Sequence, residues 1–158
     1  MRKRAKRGKR RKHAYANIER RMPTSLVAVL GTVAASTPRL HRQVMEGLPF
    51  APLERLQKAL GITTPQIAAL LQIPVRTLAR RKTEGRLRPM ESDRLLRTSV
   101  LYGKAIDLFG GDQDAARQWF LSPSVSLGGS TPFEYAKTEV GAREVEQVIG
   151  RLEQGVVL

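Results

Sequence analysis

The chain has 158 residues, 41% hydrophobic and 27% charged, enough for one domain or two small ones with a modest core. It has no cysteine, which excludes a disulfide framework, a thiolate zinc site, an iron–sulfur cluster and a thiol nucleophile, and leaves the cytoplasm as the default compartment. The net charge of +14 is uneven: residues 1–21 carry eleven Lys/Arg against one acid, 52–88 carry eight against two, and 112–158 carry four against seven. Polyanion binding is therefore expected of the first two-thirds and a different task of the last third.

The opening MRKRAKRGKRRK places nine basic residues in twelve positions, a density at which like charges repel and no core can form. Residues 1–21 are thus expected to be a disordered basic arm that adds non-specific affinity for nucleic acid phosphates through counterion release. Residues 22–51 read as a helical N-terminal segment, with Leu26, Val27, Val29, Leu30 and Val33 as an apolar patch and Pro38 and Pro49 as punctuation. The run from Leu26 to Ala35 is too short to cross a bilayer and lacks a cleavage pattern, so neither a membrane nor a secretion route is expected. His13 and His41 have no carboxylate pattern beside them, and no metal site or catalytic pair is expected at either.

From Pro52 to Gly85 the periodicity predicts three short helices. Leu53, Leu56 and Leu60 mark the first, closed by Gly61; Thr64-Pro65 opens the second, with Ile67, Leu70 and Leu71 inward and a small Ala68 where another helix crosses. After Gln72-Ile73-Pro74, a third helix runs from about Val75 to Thr83, with Val75 and Leu78 inward and Arg76, Thr77, Arg80, Arg81 and Lys82 outward. Two short helices joined by a tight turn, the second bearing Arg, Thr and Lys on its free face, meet the requirements of a helix-turn-helix over residues 52–88. Those five outward residues are the candidate DNA-binding set, since guanidinium groups can pair with guanine edges or clamp phosphates. In two places the pattern departs: Gln72 stands at the turn position often filled by glycine, and Arg81 where many such helices carry an apolar residue.

Residues 89–158 form the remaining helical domain. A long helix is expected from about Pro89 to Gly110, with apolar residues including Met90, Leu95, Leu96, Val100, Leu101 and Ile106 spread too widely for one stripe, so that it packs on two neighbours or on a copy of itself. Asp112–Leu121 is a further short helix, with Trp119 and Phe120 expected to fill its core. Thr131, Pro132 and Glu134 spell the start of a capped helix, and Val145, Val148, Ile149, Leu152 and Val156 fall on one face of the last one.

From about Leu53 to the end, the chain resembles the Xre/MbcA/ParS family of antitoxins, partners of RES-domain toxins. The motifs that carry it are LQIPVRTLARRKTEGRL, ESDRLL, the LFGG-acid turn, Trp119 with its following SP, LGGSTPFE and TEVGAREVEQVIGRLEQGV. The resemblance implies an all-α fold, a helix-turn-helix DNA-binding domain followed by a small helical toxin-binding and dimerisation domain. It implies a homodimer that binds its operator DNA, represses its own operon and blocks an NAD-degrading RES toxin, including through higher-order hetero-oligomers. The toxin-facing residues it implies are Arg143, Glu146, Arg151, Gly155, Val156, Val157 and Leu158.

Two rival readings remain open at this stage: a plain helix-turn-helix regulator with no toxin partner, and an RNA- or ribosome-associated basic protein. An enzyme is poorly supported. There is no paired-carboxylate site, phosphate-cradling glycine loop or nucleophile elbow, and no catalytic residue, cofactor or metal is expected.

Overall fold

A computed structural model of the chain describes residues 37–156, and all described elements are helical. The basic arm, the first half of the N-terminal helical segment (22–36), Val157 and Leu158 lie outside the described residues. In chain order the helices are α1 (Thr37–Glu46), α2 (Ala51–Leu60), α3 (Thr64–Leu71), α4 (Val75–Glu84), α5 (Pro89–Leu108), α6 (Gln113–Leu121), a 3-10 turn (Val125–Leu127), α7 (Pro132–Tyr135) and α8 (Glu139–Glu153).

Local chemistry sets most of these boundaries. Gly61 closes α2 in the left-handed conformation, and Asp112 caps α6 by accepting from the amides of Asp114 and Ala115, both at 3.0 Å. The T-P-x-E signal opens α7 as read: Glu134 donates its amide to the Thr131 hydroxyl at 3.1 Å, and its carboxylate accepts from Thr131 N–H at 2.9 Å. That amide, its largest influence, holds the Glu134 carboxyl below the usual carboxylate range. Helix α3 opens at Thr64-Pro65 as read, and the residue before it is the cap: Thr63 pairs with Gln66, whose side-chain oxygen accepts from the Thr63 amide at 2.8 Å.

The buried apolar residues form one contiguous cluster from Leu48 to Ile149. Helix α5 is its axis and packs on α1, α3, α6 and α8, so its broad apolar distribution is taken up by several neighbours within the chain. Leu95, Leu101, Tyr102, Ala105 and Ile106 are buried, whereas Met90, expected to help fill this core, lies 69% exposed in the first turn. Polar residues buried on α5 are satisfied locally: Thr98 and Ser99 donate to the carbonyls four residues back, and Ser92 donates to Arg88 O while accepting from Leu48 N–H at 2.8 Å. Phe120 is fully buried between Tyr102 and Phe133; its neighbour Trp119 is half-buried and leans on Phe109.

Two glycines are demanded by close backbone approach. At Gly47, where φ is +87°, an added Cβ would stand 2.1 Å from Leu87 O, beside the short antiparallel contact in which Leu87 N–H donates to Leu48 O and Phe50 N–H to Gly85 O. At Gly141, in the first turn of α8, an added Cβ would stand 2.2 Å from Tyr135 O. Alanine is the better helix former by about 1 kcal/mol. A fixed backbone oxygen cannot yield as a side chain would, so Gly141→Ala is expected to destabilise the fold by roughly 1–3 kcal/mol. Gly150, in the same helix with open space around it, is the control: Gly150→Ala should stabilise by up to about 1 kcal/mol. Urea midpoints of the two variants check both signs.

Candidate functional site

Helices α3 and α4 are joined through Gln72, Ile73 and Pro74. Gln72 takes the left-handed conformation (φ 56°, ψ 43°) that ends α3, its amide reaching Ala68 O and Ala69 O, and Pro74 opens α4 in an extended conformation. Leu78 and Arg81, three residues apart, form the buried face of α4. The opposite ridge is therefore Arg76, Ala79, Arg80 and Thr83, all exposed, with Thr77 half-buried on one flank. Sequence reading passed over Ala79 and Thr83; the i, i+3, i+7 spacing from Arg76 is the signal that finds them. Lys82 is exposed on the other flank, with its ammonium 3.0 Å from Glu54 of α2.

Two expectations on this helix are overturned. Val75, expected inward, is 46% exposed: its spacing does place it beside Leu78, but it is the first residue of α4, at the open end of the helix. Arg81, expected to face DNA, is only 6% exposed. Its Nε lies 3.0 and 2.9 Å from the two oxygens of Glu91, and its Nη1 donates to Glu84 at 3.1 Å. Glu91 also accepts from the Arg88 amide at 2.8 Å, which caps α5. Burial alone would raise the Glu91 pKa, but the Arg81 and Arg88 hydrogen bonds and charges outweigh it and hold the carboxyl below its usual range. The Glu91 hydrogen bond is the main reason the Arg81 guanidinium is raised. Arg81 thus fastens α4 to the start of α5, and its charge is spent inside the protein.

At the other end of the chain, α8 buries Val145, Val148 and Ile149 and leaves Val140, Arg143, Glu146 and Arg151 exposed. Arg143 pairs with Glu139 at 3.1 Å, and Glu146 is ion-paired with Lys104 of α5. Glu146 and Arg151 project about 140° apart on an ideal helix, so the toxin-facing set does not converge on one compact patch. Two of that set, Gly155 and Val156, line a shallow groove of about 510 Å³ together with Trp119, Val125, Val148 and Leu152. Val156, expected to continue the buried stripe, is 46% exposed: α8 stops at Glu153 and Gly155 turns the chain, so helical spacing no longer applies. Val125 in the same groove is 93% exposed and had no signal in the sequence beyond its apolar side chain. Among the described residues no cluster of His, Asp or Glu is placed to hold a metal.

A short-turned helix pair with an exposed cationic ridge, packed through one long helix onto a small helical domain, defines a helix-turn-helix protein with a second helical unit. The comparisons with known proteins agree. Residues 39–97 match the antitoxin Xre-like helix-turn-helix domain, and residues 104–155 match the antitoxin Xre/MbcA/ParS C-terminal toxin-binding domain. The chain is 35% identical over 129 residues to antitoxin Xre of Photorhabdus laumondii, covering 81% of this chain and 87% of that protein. It is 36% identical over 128 residues to antitoxin Xre of Yersinia enterocolitica, covering 80% and 86%, and 30% identical over 122 residues to antitoxin Xre of Pseudomonas putida, covering 77% and 75%. The chain belongs to the Xre family of antitoxins, with a toxin and DNA as the partners its two domains imply.

Proposed function

We propose that this antitoxin neutralises a RES-domain, NAD-degrading toxin by covering its active-site cleft, and that it represses its own operon as a homodimer bound through α4. It does no chemistry itself. The observation that carries this reading is the division of surface on a single packed body: an exposed Arg76–Arg80–Thr83 ridge on α4, and an α8 whose apolar stripe is consumed by the core while its charged face and the groove beside Val156 stay open. The ridge has the charge and length to enter a major groove, about 15 Å for ten residues. The toxin-facing residues are Arg143, Glu146, Arg151, Gly155 and Val156, with Val157 and Leu158 following them.

Two measurements test it. On a duplex taken from upstream of its own gene, Arg80→Ala is expected to weaken binding by about 1–3 kcal/mol where Arg80 reads a base. Arg80 is 63% exposed in its side chain with only a 3.8 Å contact to Glu84, so the fold is expected to be unaffected. Equal affinity of the wild-type chain for that duplex and for unrelated structured RNA at matched salt would instead favour the RNA reading. For the toxin half, a RES protein encoded beside this chain should co-purify with it, and should be released by truncation after residue 150 even though operator binding persists.

A further inference from the structure

We propose that Gln72 is a strut that couples the DNA-recognition helix to the toxin-binding domain, an inference that rests on the reading above. Among the described residues Gln72 is the one non-glycine with positive φ. Glycine would adopt that conformation freely, whereas an L side chain there incurs a steric cost. The cost is met at a position where the side chain makes a long-range bond. Gln72 Nε2 donates at 2.9 Å to Lys137 O, 65 residues away, at the joint between α7 and α8. Lys137 O lies one residue before Thr138, the residue that caps α8 through the Gly141 amide. One polar side chain thus ties the turn that aims α4 to the residue just before the cap of α8.

The same joint is reached by a second path. Arg94 of α5 donates to Leu71 O at 2.8 Å, closing the end of α3, and Arg97, one turn further along α5, pairs with Glu139 of α8 at 3.3 Å. These bonds border an open groove of about 560 Å³ between the turn and the joint, whose lining also includes Val44 and Pro89. The link across that groove is made by side-chain reach rather than by close-packed apolar surface, so it can be made and broken without dismantling the core. DNA seated on α4 orders the turn and, through Gln72, the start of α8. By thermodynamic reciprocity, a partner seated on the joint alters operator affinity by the same factor.

Gln72→Gly keeps the left-handed turn and removes only the strut; Gln72→Asn, which also tolerates that conformation, is one methylene too short to reach Lys137 O. The test is hydrogen exchange on the full chain, free and bound to a duplex from upstream of its own gene. In the wild type, duplex binding should slow exchange of amides 138–142 by about two- to tenfold, the range one hydrogen bond supplies. In both variants that slowing should vanish while duplex binding persists and the melting temperature stays level or rises for the glycine variant. A wild-type chain that binds the duplex with no change at 138–142, or variants that respond as the wild type does, would overturn the strut alone. Absence of duplex binding by the wild type would overturn the DNA half of the proposed function, and the strut with it.

Discussion

Glu91→Ala is expected to destabilise the protein by about 3–5 kcal/mol, a large share of the 5–15 kcal/mol that holds a typical domain together. The substitution leaves the Arg81 guanidinium, 6% exposed, with one of its two carboxylate partners, Glu84, and removes the acceptor that caps the Arg88 amide. A urea titration should show a lower midpoint with little change in slope. Replacing both charges, as in R81M/E91L, should recover most of that loss, because a well-packed apolar pair avoids the desolvation cost. The uncapped Arg88 amide leaves a deficit of about 1 kcal/mol. The double variant also discriminates the two roles for Arg81: operator affinity close to wild type places its charge inside the protein, whereas a fall like that of Arg80→Ala would put it on DNA.

The same pair makes stability depend on pH with a definite sign. Glu91 is held below its usual pKa in the folded state, so its contribution is fully present above the unfolded carboxylate value and is lost as the pH falls through the lower folded one. The wild type should therefore lose stability on acidification more steeply than R81M/E91L does.

Val148→Asp is the second large effect. Val148 is 1% exposed, on the face of α8 that meets the rest of the toxin-binding domain. Losing its burial costs roughly 1.5–3 kcal/mol, and placing a carboxylate there without a partner adds a desolvation penalty of several more. The expected result is a chain that is unfolded or has α8 detached at 25 °C, seen as lost helicity and as fast exchange in residues 139–153. A variant that folds normally yet no longer binds toxin would assign the valine stripe to the interface and overturn its place in the core.

Much of this architecture is legible in the residues because it depends on short-range chemistry. Gly61 ends α2, Asp112 and Thr131 start the helices they cap, and the Val145, Val148, Ile149 spacing marks a buried face, each through contacts within one or two turns. The errors concern residues whose fate is decided at longer range. Arg81 sits in phase with Leu78, which is inward by periodicity, and its partner Glu91 belongs to the next helix; charge alone suggests an outward residue, and only the pairing reverses it. Met90 is apolar but falls on the solvent side of the first turn of α5, opposite the buried Glu91 and Ser92, and Val156 follows a helix end that spacing cannot see. Gln72 was readable as an oddity at a glycine position, but not as a bond to Lys137, and the need for glycine at 47 and 141 comes from backbone oxygens of other segments. At the candidate site, the same limit separates the ridge proposed to face DNA, which follows from one helix, from the residues proposed to face the toxin, which are scattered around α8 and of which Gly155 and Val156 meet the groove only in three dimensions.

The central claim, that this chain silences a RES toxin, is tested most directly by growth. The neighbouring RES gene is induced in a host with and without the wild-type chain, and intracellular NAD is followed. Arrest and NAD loss without the chain, with growth and NAD restored by its co-expression, is the predicted result. Equal arrest and equal NAD loss in both cultures, with the chain present and folded, would contradict it.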